Sequence, residues 1–392
     1  MRLLYVADGR SPIVTPWLEY FSSQGHEVHL VSTRPCNPQV TLASLHVLPV
    51  TPGEGRMGGM NVGRSQARLA LVTTARHWLG PLAVRRVAPG LSKIIHEVRP
   101  DLVHAMRIPF EGMLAAAARP SRPLLLSVWG NDFTLHAAGT PAMASATRRT
   151  LRHADGLHTD CQRDLRLALQ WGWPETKPSM VIPGNGGVDR ELFRPTEPSR
   201  PVRRTPPVSG SLERPLVVQP RGFRAYVRSD TFFRAIPMVW ATFPRVEFAG
   251  VGMQGNPEIY RWKAKLDAGE RLKAMPALDP AGMADLFRAA WVSVSPSVHD
   301  GTPNTLLEAM ACGCLPIAGD LESIREWIVD GENGLLVDPT DPAHVARSIL
   351  RSLREADFRE EAGRRNRAII EARADRRQGM QAADAMYRQL AS

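Results

Sequence analysis

Short apolar and β-branched runs alternate along the chain with longer segments of helical period. In the first half, RLLYVAD (2–8), HEVHLVST (26–33), LHVLPV (45–50), DLVHAM (101–106), PLLLSVW (123–129) and GLHTDC (156–161) predict strands. Between the first two, Trp17, Leu18 and Phe21 share one helical face, with Gly25 placed to end the helix. A second alternating set follows: LVVQPRG (216–222), VEFAGVG (246–252), a strand near 272–275, WVSVSPS (291–297), LPIAGD (315–320) and GLLVD (334–338). Residues 196–215 are rich in Pro, Ser and Arg and lack periodicity, so they read as a linker. Strands alternating with helices predict parallel sheets, hence an α/β chain of two doubly wound, Rossmann-like domains, 1–195 and 216–375. In such sheets ligands bind outside the carboxyl ends of the strands.

The most chemically informative stretch is DGTPNTLLEAMACG (300–313), which follows a predicted strand and opens a predicted helix. Gly301 and Pro303 break the strand, and Asn304 or Thr305 serves as helix cap. The loop of Gly301, Thr302, Pro303, Asn304 and Thr305 then aims backbone N–H groups at an anion. Glu308 lies about one turn inside the helix, where it can face the same crevice as Asp300, and both can accept bonds from ligand hydroxyls. Taken alone, such a spacing is common by chance and more often marks a loop acid and a solvated helix residue. Arg221 directly follows a predicted strand, where a guanidinium holds phosphate oxygens bidentately without a metal. Arg221, Arg224 and Arg228 also fit solvated loop arginines. At predicted strand ends of the first domain stand Asp8, Gly9, Arg10 and Ser11, then His104 and Asp132. Either of the last two could orient an acceptor hydroxyl; His104 equally suits a packing histidine and Asp132 a turn cap.

Composition narrows the class. The chain has 392 residues, 43% hydrophobic and 22% charged, enough for two domain cores and unlike a disordered protein. No apolar run reaches the roughly 20 residues of a spanning helix, and MRLLYVADGR reads as a first strand, so a cytoplasmic protein is expected. Cys36, Cys161, Cys312 and Cys314 read as packing thiols without the companions of a zinc site. The net charge of +10 is concentrated early: residues 1–185 carry 20 Lys and Arg against 12 Asp and Glu. Within 56–99, Arg56, Arg64, Arg68, Arg76, Arg85, Arg86, Lys93 and Arg99 interleave with Leu69, Leu71, Val72, Trp78, Leu79 and Leu82. That surface suits an anionic bilayer or acceptor, with a solvated basic helix as the alternative; no nucleic-acid motif accompanies it.

The match at Asp300, Gly301, Pro303, Leu307, Glu308, Ala309, Met310, Ala311 and Gly313, with IREWIVDGENGLLVDPTD (324–341), resembles the retaining GT-B glycosyltransferases, specifically glycosyltransferase family four. SPIVTPWLEYFSSQGHEVHLVS (11–32), PDLVHAMRIPFEGMLAA (100–116), VWGNDF (128–133) and VIPGNGGVDRELFRP (181–195) resemble its first-domain segments. The resemblance implies an acceptor-binding first domain, a nucleotide-sugar-binding second domain and a helix at 376–392 returning to the first. It implies metal-independent, retaining transfer of a sugar from a nucleoside diphosphate donor to a saccharide or lipid-linked acceptor, with no separate cofactor. Arg221 would contact the diphosphate, Glu308 the nucleotide ribose and Asp300 the donor sugar. Synthesis of a polysaccharide, glycolipid or glycoconjugate, at the inner membrane face, would suit the basic segment. Two positions depart from the pattern: Asp300 stands where the family usually has Glu, and Tyr226 where it usually has Lys, leaving Tyr226, Arg224 or Arg228 to complete the phosphate site. A catalytically impaired binding subunit, or a sugar-nucleotide epimerase of the same fold, is the alternative.

Overall fold

The computed structural model describes residues 1–50, 66–195, 214–224 and 226–392, with 66–76 as backbone only. Nearly all of the expected linker, 196–213, and the side chains of Arg56, Arg64, Arg68, Arg76, Leu69, Leu71 and Val72 lie outside the described residues. The chain forms two compact units, one ending at Gly187 but including Arg376–Ser392, the other Val188–Asp375.

The first unit holds β1 (Arg2–Ala7), β2 (Glu27–Ser32), β3 (Ser44–Val47), β4 (Leu102–Ala105), β5 (Leu124–Val128), β6 (Gly156–Thr159) and β7 (Ser179–Val181). They pair in parallel in the order β3-β2-β1-β4-β5-β6-β7. Successive residues feed two cores: Leu4 and Val6 of β1 pack with Leu124, Leu126 and Leu91, while Leu3, Tyr5 and Ala7 pack with Trp17, Phe21 and Tyr387. Both sheet faces are therefore covered, which is why the strands read as nearly continuous apolar runs. The helix Arg376–Ala391 supplies Met380, Ala383, Met386 and Tyr387 to the second of these cores.

The second unit repeats the plan with β8 (Leu216–Gln219), β9 (Glu247–Gly250), β10 (Leu272–Ala274), β11 (Val292–Ser295), β12 (Leu315–Gly319) and β13 (Leu335–Val337), ordered β10-β9-β8-β11-β12-β13. Leu216 and Val218 enter one core and Val217 the other. Its boundary lies earlier than the linker suggested, because Val188 and Phe193 are buried in its core and Val188 N–H donates to Ala374 O at 2.7 Å. In both units the strand order reverses beside the first strand, between β1 and β4 and between β8 and β11.

Within the basic segment, Gln66–Val98 forms one long helix that runs through Pro81 and Pro89. Proline at 81 removes the N–H that would bond the His77 carbonyl. The Thr140 hydroxyl donates to that carbonyl instead, at 3.2 Å, so the buried oxygen keeps a partner.

Candidate active site

In the second unit, Arg221 leaves the end of β8 and Asp300 lies on the loop after β11, so the two meet where the strand order reverses. Arg221 Nη1 donates to Asp300 Oδ2 and, at 3.4 Å, to Ser297 Oγ. Its Nη2 donates to the Tyr226 hydroxyl at 3.2 Å, and the guanidinium carbon lies 5.3 Å from the Tyr226 ring centroid. The Arg221 and Asp300 side chains are only 12% and 10% exposed. Burial works against the Arg221 charge, but Asp300 and Tyr226 outweigh it and raise its pKa. Among the described residues the Nε–H of Arg221 has no acceptor, so the fork keeps a donor for a further anion.

The 300–305 loop is braced from behind. Ser323 donates its hydroxyl to Asp300 O at 2.8 Å, and the Trp327 indole N–H donates to Thr302 Oγ1 at 3.0 Å. Thr302 is thus a buried strut. Glycine is required at 319 because a Cβ there would collide with the Ser297 carbonyl oxygen and lie 3.0 Å from its nitrogen. The helix Asn304–Cys312 begins with Pro303 in the cap position and no side chain capping it, so Asn304 and Thr305 are helical residues rather than caps. Its exposed N–H groups and positive dipole end adjoin a crevice lined by Pro220, Ser295, Ser297, Asp300, Pro303 and Thr305. Glu308, in the second turn, is half-buried.

The phosphate-side expectations divide. Arg228 is engaged by Asp230 through two contacts of 2.9 Å, which raises its pKa. Tyr226 accepts from Arg221 and keeps its own hydroxyl proton for donation. Arg224 is exposed and makes no ion pair among the described residues, which leaves it as the available second cation.

In the first unit the expected residues are mostly taken by the protein itself. Gly9 N–H donates to Ser32 Oγ at 3.0 Å, and a Cβ on Gly9 would lie 2.5 Å from Cys36 Sγ, so the glycine serves close packing. Asp8 pairs with Arg10 at 2.9 Å and Arg34 at 3.4 Å. His104 is 1% exposed, with Nδ1 2.6 Å from the Tyr387 hydroxyl and Nε2 2.8 Å from Ser127 Oγ. Ser127 continues to His158 Nδ1 at 2.8 Å, and His158 Nε2 bonds Ile182 O at 2.8 Å. Burial lowers the pKa of both histidines, so this chain ties the C-terminal helix to β4, β5 and β6 and gives His104 no free nitrogen for an acceptor.

Asp132 is likewise buried, accepting from Ile108 N–H at 2.9 Å, Trp129 N–H at 3.3 Å and Arg107 Nη2 at 3.3 Å. Burial pushes its pKa up to about 6 against the opposing Arg107 charge. An acid with a raised folded pKa holds its proton longer in the native state, so its contribution to stability falls as pH rises through that interval. Relative to Asp132→Asn, the wild type is expected to lose about 2 kcal/mol of stability between about pH 4 and pH 7. Urea midpoints of both proteins across that range measure this, and a difference independent of pH would contradict it.

Among the described residues, one group could gather metal-ligating atoms: Asp160, Cys161 and Asp164, within 4.8 Å of one another. Arg163 already donates to Asp164 Oδ1 at 2.9 and 2.6 Å, and burial raises the Cys161 pKa, keeping the thiol protonated. This chemistry fits a compensated core cluster better than a metal centre. Cys312 and Cys314 are also buried, with raised pKa values.

Residues 221–355 match the family described as glycosyl transferases group 1, and residues 9–184 match the glycosyl transferase 4-like domain. The D-inositol 3-phosphate glycosyltransferase of Acidothermus cellulolyticus is 31% identical over 209 residues, 51% of this chain and 46% of that protein. The phosphatidyl-myo-inositol mannosyltransferase of Mycobacterium leprae is 34% identical over 127 residues, 32% of this chain and 33% of that protein. The match thus spans about half the length of the first of these relatives and a third of the second. Sucrose-phosphate synthase from Thermosynechococcus elongatus shares the fold over 99% of this chain and 98% of its own, with a TM-score of 0.74 at 18% identity. Anabaena HepE in complex with UDP and glucose aligns over the whole of both chains, with a TM-score of 0.72 at 16% identity. With each unit matched by its own family model and the two-sheet fold shared along its length, the chain belongs to the group 1, family-four type of GT-B glycosyltransferases.

Proposed function

We propose that the chain transfers a glycosyl group from a nucleoside diphosphate sugar to an acceptor hydroxyl, with retention at the anomeric carbon. The observation that carries this reading is the Arg221–Asp300 pair at the reversal point of the second sheet, beside an uncapped helix N-terminus. Arg221 and the N–H groups of Asn304 and Thr305 meet the charge that develops on the departing diphosphate, so no divalent metal is required. Asp300 contacts the donor sugar hydroxyls and Glu308 the nucleotide ribose. As the donor C1–O bond breaks, the acceptor oxygen bonds C1 on the same face and its proton passes to the leaving phosphate. The names of the inositol-phosphate and phosphatidylinositol relatives support a saccharide or lipid-linked polyol acceptor. A mixed donor and acceptor pool in EDTA, with products read by mass spectrometry and anomeric NMR, tests the reading. Release of nucleoside diphosphate with a retained linkage is expected; an inverted linkage, or donor binding without transfer to any acceptor, contradicts it.

We further propose that the helix Gln66–Val98 rests on an anionic bilayer. Trp78, Leu79 and Leu82 are 55%, 64% and 57% exposed, and the neighbouring Arg85 and Arg86 are exposed cations. No helix among the described residues is long and apolar enough to cross a membrane, so attachment would be peripheral. Replacing Trp78, Leu79 and Leu82 together by serine is expected to weaken sedimentation with phosphatidylglycerol vesicles by about tenfold or more, given the apolar area lost. Equal sedimentation of wild type and variant would contradict it.

A further inference from the structure

At the amino ends of β4 and β5, the opposite edge of the first sheet from Gly9 and Arg107, lies a concavity of about 330 Å³. Its rim carries His96, Arg99, Arg119 and Arg122 over a floor that includes Ile95 and Pro100, and no carboxylate lines it. Among the described residues, none of the three guanidiniums makes an ion pair. Acids beside it are engaged elsewhere: Glu97 with Lys93 at 3.8 Å, Asp101 with the Arg2 N–H at 2.7 Å and, at the start of β5, Asp155 with the Leu124 N–H at 2.9 Å.

Two of the arginines occupy positions whose backbone favours another residue. Arg99 follows the helix Gln66–Val98 with φ 51°, and Arg119 ends the helix Met113–Ala118 with φ 49°. Both are left-handed helix ends, where glycine is the least strained choice. Helix dipoles account for some attraction of cations to these ends. They do not account for Arg122, which lies three residues beyond the second helix end, or for the convergence of all three on one concavity. Several planar forks around a single recess match a multiply charged oxyanion, and the volume is at the small end of ligand sites, with room beyond a bare anion.

We propose that this concavity binds a compact phosphate-bearing molecule, at a site separate from the donor site and independent of the transfer reading. Two sources carry that chemistry, a soluble phosphorylated metabolite and the headgroup of an anionic lipid. The test compares the full chain with the Arg99→Gly, Arg119→Gly double variant, which removes two guanidiniums and leaves glycine where the backbone favours it. The variant is expected to melt at or above the wild-type temperature, so a loss of binding is not a loss of fold. Calorimetric titration with inorganic pyrophosphate is expected to show one site fewer in the variant, or one weakened by about tenfold or more, with wild-type affinity falling as salt rises. Co-sedimentation with phosphatidylcholine vesicles containing phosphatidic acid separates the sources. Its loss in the variant identifies a headgroup, and its retention alongside lost pyrophosphate binding identifies a soluble ligand. Identical pyrophosphate stoichiometry and affinity in the two proteins would overturn the proposal.

Discussion

Arg221→Ala is expected to lower kcat/KM for sugar transfer by about two to three orders of magnitude, the usual cost of removing one preorganised donor from a site of developing negative charge. The effect should be large because the guanidinium is held by Asp300, Ser297 and Tyr226 in a largely buried corner, where its charge is weakly screened. Removing it also takes the guanidinium contact away from the largely buried Asp300, which should cost folding stability on the order of 3 kcal/mol. The two effects separate by comparison with Arg221→Lys, which returns a charge to Asp300 without the fork. Melting temperature should recover in the lysine variant more than kcat/KM does. Turnover of Arg221→Ala within about threefold of wild type, on a folded protein, would remove Arg221 from the reaction.

Gly319→Ala is expected to destabilise the protein by about 1 to 3 kcal/mol or more, because the added methyl meets backbone rather than a yielding side chain. The backbone it meets is Ser297, whose hydroxyl accepts from Arg221 and whose loop runs on to Asp300. Any relaxation that admits the methyl therefore moves the Arg221–Asp300 corner. Donor affinity should fall together with the urea midpoint. Gly319→Ala with wild-type midpoint and wild-type donor affinity would show that the β12 end does not position this loop.

The two-sheet plan was legible because parallel strands covered on both faces leave continuous apolar runs, as in β1, β5 and β8. The 300–313 motif was legible because its chemistry is local: a loop, a helix start and two acids within nine residues. What stayed hidden depended on distant partners. The Arg221–Asp300 pair joins residues 79 apart, and His104 is closed off by Tyr387, 283 residues away. Ser323 and Trp327 brace the site loop from beyond β12, and of the two only Trp327 lies within the 324–341 segment that resembles the family. The uninterrupted helix through Pro81 was hidden for the same reason, since the hydroxyl that serves the His77 carbonyl comes from Thr140. The Pro303 cap position differed from the expected Asn304 or Thr305 because the loop leaves the helix N-terminus open toward the crevice.

In the proposed reaction, the corner formed by Arg221, Asp300 and the start of the helix Asn304–Cys312 receives the diphosphate of a nucleotide sugar. The most direct measurement is calorimetric titration of a nucleoside diphosphate and the corresponding monophosphate into wild type and Arg221→Ala, without divalent metal. Wild type is expected to prefer the diphosphate by about tenfold or more, and the variant to lose most of that preference while still binding the monophosphate. A diphosphate preference retained in full by Arg221→Ala would contradict it.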